Sequence, residues 1–173
     1  MTRRAMVWCG IDPGTERTGV VIYDSGSKAA LWACKDICNA VLVSHLRNGF
    51  ADIPVQRPRA IAIERMQAHR MVSGDVIETT WVSGRFYEAA QASHYRKVVR
   101  YYRREILAAL DVTGKGTRDS LVRQRLIEMH CGKTAAIGKK ATPGALYGVT
   151  SHAWQALAVA VVAAQLDVRG ARA

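Results

Sequence analysis

Apolar positions near the start of the chain fall in short runs, and each run is closed by turn-forming or charged residues. Residues 6–12 (MVWCGID) predict a buried strand that ends on a carboxylate, and Pro13 with Gly14 predicts a turn after it. The β-branched run at 18–23 (TGVVIY) predicts a second strand, and 29–34 a third, so the spacing fits a three-stranded meander. Asn39 is placed to cap a helix whose apolar face is Val41, Leu42 and Leu46 with neighbouring Val43, and Asn48 and Gly49 stop it. Beyond a stretch interrupted by Pro54 and Pro58, residues 60–64 (AIAIE) form another short apolar strand, again ending on an acid.

From there the period lengthens. Residues 75–92 have helical spacing, with Val76, Thr80, Phe86 and Ala90 as the expected packed face. Residues 97–102 predict a strand, 117–130 a helix, and 131–149, carrying Gly, Pro and Lys, a loop. A last helix is expected over 151–166; its run ALAVAVVAAQL is apolar all round, the mark of a buried helix. Three strands, helix, strand, helix, strand and further helices make an α/β domain, with a five-stranded mixed sheet and helices on both faces. With 173 residues and neither repeat nor linker, a single domain over 1–173 is expected.

Composition narrows the class. Hydrophobic residues at 49% and charged residues at 23% are ordinary for a globular chain. No apolar run is long enough to cross a bilayer, and residues 1–4 lead into a strand-like segment rather than a signal sequence. A soluble cytoplasmic protein with no membrane partner is expected. Cys9, Cys34, Cys38 and Cys131 form no CxxC pair, and they read as reduced core cysteines. The formal net charge is +11, and residues 96–140 hold twelve Lys or Arg against four acids. Such a concentration suits a polyanion, because neutralising phosphates releases their counterions.

The chemistry gathers where the strands end. Residues at strand ends of a mixed α/β sheet collect along one edge, and Asp12 and Glu64 close two strands. Two carboxylates meeting there repel unless a cation separates them, and hard ions such as Mg²⁺ or Mn²⁺ take oxygen ligands of this kind. Spacing alone leaves open the plainer reading, in which an acid follows a strand for solubility.

Four segments carry a family resemblance. GIDPGTERTG (10–19) resembles the opening strand-turn-strand of the RuvC family of Holliday-junction resolvases, within the RNase H-like superfamily. IAIERM (61–66) is similar to that family's second acidic strand, TGKGTRDSLV (113–122) to its Gly-rich entry into a DNA-contacting helix, and HAWQALAVAV (152–161) to the start of its last helix. The order is the family's, and the segments span nearly the whole chain.

The resemblance implies an RNase H-like fold and a metal-dependent endodeoxyribonuclease acting on four-way junctions or other branched DNA. It implies two Mg²⁺ ions, with Mn²⁺ as a substitute, and hydrolysis by an activated water leaving a 5′-phosphate and a 3′-hydroxyl. Asp12 would bridge the ions, with Glu64 and His152 holding one each. His152 falls at the third metal position, where a histidine, titrating near neutrality, can bind an ion or orient a water. Gln155 falls where a fourth acid is expected; three residues from His152, it shares that residue's helix face. A Gln carbonyl can bind a metal but brings no charge and cannot act as a base. A weaker natural site, an engineered inactivation, and a diverged protein that binds junctions without cutting them efficiently all stay open. Replacing Gln155 by Asp is expected to raise activity.

DNA contacts are expected from Arg65, His69 and Arg70 after the second acidic strand, and from Lys115, Arg118 and Arg123 around the basic helix. Lys133, Lys139 and Lys140, before the last helix, complete the set. Asp24, Asp119 and Asp167 are spare acids, with Asp119 read as a capping or exposed residue and Asp167 too far along the helix to replace Gln155. Two symmetric cuts imply a homodimer, with Trp81, Phe86 and Tyr87 of the 75–92 helix as its candidate face. A strand followed by DxGT also opens sugar kinases and Hsp70-like ATPases, but those folds need two such domains and a longer chain.

Overall fold

The computed structural model describes residues 5–67, 73–112 and 119–170. Five strands form the main sheet: β1 (Val7–Asp12), β2 (Arg17–Asp24), β3 (Ala29–Cys38), β4 (Ala60–Arg65) and β5 (Lys97–Tyr102). Their order is β3-β2-β1-β4-β5, with β1–β2 and β2–β3 antiparallel, and β1–β4 and β4–β5 parallel. The helices are α1 (Asn39–Asn48), α2 (Gly74–Gln91), α3 (Arg103–Ala109), α4 (Asp119–Met129), α5 (Lys133–Ala136) and α6 (Ala153–Gly170). A two-stranded hairpin, β6 (Gly138–Lys139) and β7 (Thr142–Pro143), lies between α5 and α6. This is the expected α/β architecture.

Strand alternation divides the core in two. Cys9, Ile11, Ile61 and Ile63 pack with Leu42 and Leu46 of α1 and Phe86 of α2 on one face. Trp8, Ala60 and Ala62 pack under α6 on the other, with Ile106 of α3 and Leu126 of α4. Ala153 through Ala164 of α6 are all buried, as a helix apolar all round requires. No helix among the described residues is long and apolar enough to cross a membrane.

Gly10 lets α6 lie almost on the sheet: a Cβ there would meet the Ala156 carbonyl oxygen at 2.0 Å and the Ala160 Cβ at 2.9 Å. At Gly19 a Cβ would meet the His152 carbonyl oxygen at 2.6 Å. These two bare positions bring the start of α6 down onto β1 and β2.

Several local expectations are corrected. Cys38, not Asn39, is the residue that caps α1, and it caps without a side-chain hydrogen bond. Asn39 instead ties down the turn after β1: its amide donates to the Gly14 and Thr15 carbonyls at 3.1 and 3.0 Å, and its oxygen accepts from Thr18 Oγ1 at 2.7 Å. Val41 is exposed, leaving Leu42, Val43 and Leu46 as the buried face of α1. On α2 the buried set includes Thr79 and Val82, while Thr80 is exposed and returns its hydroxyl to the Val76 carbonyl. Phe86 and Ala90 are buried as expected. Of the cysteines, Cys9 is buried, Cys34 half-buried, and Cys38 and Cys131 exposed. The stretch expected to be a loop carries α5 and the hairpin, and α3 is an element that periodicity does not announce.

Candidate metal centre and nucleic-acid interface

Sheet register brings the two carboxylates together. Ile11 of β1 pairs with Ile63 of β4 in a parallel ladder, so Asp12 and Glu64 are the next residues at the same height on neighbouring strands. By alternation from Ile11 and Ile63, both project toward the α6 side. The β5 strand lies in register beyond them, Glu64 opposite Tyr101, so α3 starts with Arg103 at the same sheet edge. The Tyr102 N–H donates to Glu105 Oε2 at 2.6 Å, which fixes the start of α3.

Arg103 joins three groups at that edge. Its Nη1 donates to Gln155 Oε1 at 2.5 Å and its Nη2 to Asp119 Oδ1 at 2.6 Å. Nη1 is also 3.6 Å from Glu64 Oε2, too long for a hydrogen bond though close enough for attraction. Glu64 Oε2 is therefore buried without a hydrogen-bond partner. His152, largely exposed, has Nδ1 3.9 Å from Asp12 Oδ2. A cleft of about 390 Å³ opens beside these groups, lined by Asp119, Ser120, Arg123, Thr150, His152 and Gln155 among others.

The electrostatics are those of an anionic site short of positive charge. Burial, followed by the repulsion of Glu64, pushes the Asp12 carboxyl up to about 8, against the opposing pull of Arg103. Burial likewise raises Glu64 above the usual carboxylate range, with Arg103 pulling the other way. An unpartnered buried carboxylate oxygen beside a second carboxyl fits a hard cation, whose preferred donors are oxygens. Among the described residues, no three His, Cys, Asp or Glu side chains converge tightly enough to enclose an ion as they stand. The donor set is thus open, a pair of carboxylates with His152 at its rim.

The other residues singled out from sequence are dispersed. Arg65 lies against the Tyr102 ring, its guanidinium carbon 4.3 Å from the ring centre, and Arg104 approaches the same ring at 5.4 Å. Arg123 is exposed on α4, 5.3 Å from the Trp154 ring, and lines the cleft. Lys133 on α5, Lys139 on β6 and Lys140 in the hairpin turn are all exposed. His69, Arg70, Lys115 and Arg118 lie outside the described residues. Asp119 is exposed as expected, but it is paired with Arg103, and Asp167 is held by Lys97 Nζ at 2.6 Å.

Arg103 is a site residue that the sequence pattern does not single out. A signal for it exists: it immediately follows the third parallel strand, on the edge where β1 ends on Asp12 and β4 carries Glu64 one residue from its end.

Neither a model of a known protein family nor a curated protein matches this chain. Its fold, a five-stranded mixed sheet with helices on both faces, is that of two solved RuvC structures. Thermus thermophilus RuvC in complex with a Holliday junction substrate superposes with a TM-score of 0.64 at 20% identity, over 95% of this chain and 96% of that one. A second Thermus thermophilus RuvC structure gives a TM-score of 0.58 at 21% identity, over 95% and 97% of the two chains.

Proposed function

We propose that the protein is a metal-dependent, structure-selective endodeoxyribonuclease that cleaves four-way junctions and related branched DNA. The observation that carries this reading is the in-register pair of half-buried Asp12 and buried Glu64, short of positive charge at the open edge of the sheet. The solved structure with the same fold that holds a Holliday junction supports the choice of substrate.

In this reading Asp12 and Glu64 hold Mg²⁺, for which Mn²⁺ substitutes, and His152 completes the donor set or orients the attacking water. The bound ion supplies an acidified water and a countercharge for the phosphate. Arg65 and Arg123 meet the DNA backbone beside the scissile bond, with Lys133, Lys139 and Lys140 extending the track; His69, Arg70, Lys115 and Arg118 remain proposed contacts. In-line attack leaves a 5′-phosphate and a 3′-hydroxyl, with no covalent enzyme intermediate. Two symmetric cuts require two sites, so the functional form is a homodimer. Of the aromatics on α2, Phe86 is core and Tyr87 half-buried, while Trp81, 62% exposed, forms the candidate contact with Ile77, 58% exposed, one turn before it.

A second reading, a junction-binding protein with weak or no cleavage, draws on Gln155, whose oxygen is already engaged by Arg103. One experiment separates the two. The protein is incubated with a four-way junction and a linear duplex, first with Mg²⁺ and then with Mn²⁺. Paired nicks across the junction support the nuclease; tight, junction-selective binding with no product in either metal supports the binding protein. Equal, weak affinity for both DNAs and no product overturns both.

A further inference from the structure

We propose that Arg103 is the fixed cation of the Gln155 half of the site, so that the centre takes one divalent ion, at Asp12 and Glu64, rather than two. This rests on the reading of those carboxylates as a metal centre, and it departs from the two ions expected from sequence.

Position comes first. Gln155 is 5% exposed, and its side-chain oxygen, the atom able to bind a metal, accepts the Arg103 hydrogen bond. An ion on Gln155 would have to displace a guanidinium that Asp119 holds from its other nitrogen. A guanidinium does not lose its proton in a protein, so the charge is permanent. Its fork is also filled on both sides, by an amide and a carboxylate, which ties α3 to α4 and α6 across the edge of the sheet.

Charge points the same way. Glu64 and Asp119 flank one guanidinium, and Asp12 is the carboxylate next to Glu64 on the neighbouring strand, so three carboxylates share one fixed cation. A single divalent ion balances the cluster, whereas a second would leave it two charges in excess beside the permanent cation. The open donor pair also suits one ion that keeps most of its waters, the usual habit of Mg²⁺. When DNA enters, Arg103 then faces the phosphate with the charge that a second ion would otherwise bring. Arg103 is on this account a positioning and charge-supplying residue.

Counting ions tests this without reference to cleavage. Mn²⁺ is titrated into the full-length protein, and free Mn²⁺ is followed by electron paramagnetic resonance. The wild-type chain is expected to bind one Mn²⁺ per site, and the double variant Arg103→Gln with Gln155→Asp to bind two. Gln155→Asp alone keeps one, because the new carboxylate pairs with Arg103. Two ions on the wild type overturn the proposal and leave the nuclease reading intact, while none at millimolar Mn²⁺ overturns the metal centre itself. One ion on a double variant that melts cooperatively also overturns the role given to Arg103. Should that variant fail to fold, the wild-type count still decides.

Discussion

Arg103 and Gln155, 52 residues apart in sequence, share a hydrogen bond of 2.5 Å at the end of β5 and the first turn of α6. Gln155 is therefore the acceptor of a guanidinium whose second nitrogen is on Asp119, rather than an acid position left vacant. The pair explains why a neutral amide is tolerated beside two carboxylates: the local cation is already there.

Removing that cation should be costly. Arg103→Ala leaves Glu64 and Asp119 without their shared countercharge and the buried Gln155 oxygen without a donor. A loss of about 1–3 kcal/mol is expected, the usual range for a buried polar group left unsatisfied. Thermal melts without divalent ions should show it, with added Mn²⁺ restoring part of the loss. An unchanged melting temperature would mean the contacts contribute nothing to the fold.

The raised Asp12 carboxyl makes stability pH-dependent. Its folded value of about 8 lies above the ordinary 3.8, so the folded state holds a proton that the unfolded chain releases. The stability that Asp12 contributes without metal is then fully present below about 4 and is lost as the pH rises through about 8, and Glu64 shifts in the same direction. Wild-type protein free of metal should melt lower at pH 8 than at pH 5.5, while Asp12→Asn should flatten that slope and melt higher at pH 8. The gain is on the order of 1–3 kcal/mol, and each kcal/mol is about 2–4 °C in a chain of this size. The same variant should bind junctions but not cut them. A wild-type melting curve that does not move with pH would sink the electrostatic description of the site.

Much of the fold is legible in the order of residues alone. Periodicity locates the five main strands, and the acids closing 6–12 and 60–64 announce the sheet edge, because strand period and burial are local properties of sequence. What escapes is set by contacts between distant segments. Arg103 looks like one of twelve basic residues between 96 and 140, and only the β4–β5 register makes it the neighbour of Glu64. Asn39 reads as a cap because its residue type favours caps, yet its amide is taken by a turn 25 residues earlier.

The two close glycines give a mechanical test. Gly10→Ala places a methyl 2.0 Å from the Ala156 carbonyl oxygen, a backbone atom that can yield only if α6 lifts. Overpacking of this kind costs typically about 1–3 kcal/mol, and the upper end is expected here. Gly19→Ala presses on His152 at 2.6 Å, so it should weaken Mn²⁺ binding more than it lowers the melting temperature. Equal and small effects at both positions would show that α6 does not depend on this close approach.

Arg123 and the hairpin lysines divide the basic surface into near and far contacts. Arg123 lines the cleft next to His152 and Gln155, whereas Lys139 and Lys140 sit on a separate two-stranded hairpin. Each phosphate contact removed should lower the slope of log affinity against log salt by about 1. Arg123→Ala is expected to cost one unit of slope and also to reduce cleavage, because the proposed function sets it beside the scissile phosphate. The Lys139→Ala, Lys140→Ala double variant should lose about two units of slope while a bound junction is still cut at the wild-type rate. Filter binding from about 50 to 200 mM salt, paired with single-turnover cleavage, reads both quantities. If the hairpin variant leaves the slope unchanged, DNA does not run over that arm, and the track must be redrawn along Arg65 and Arg104 beside Tyr102.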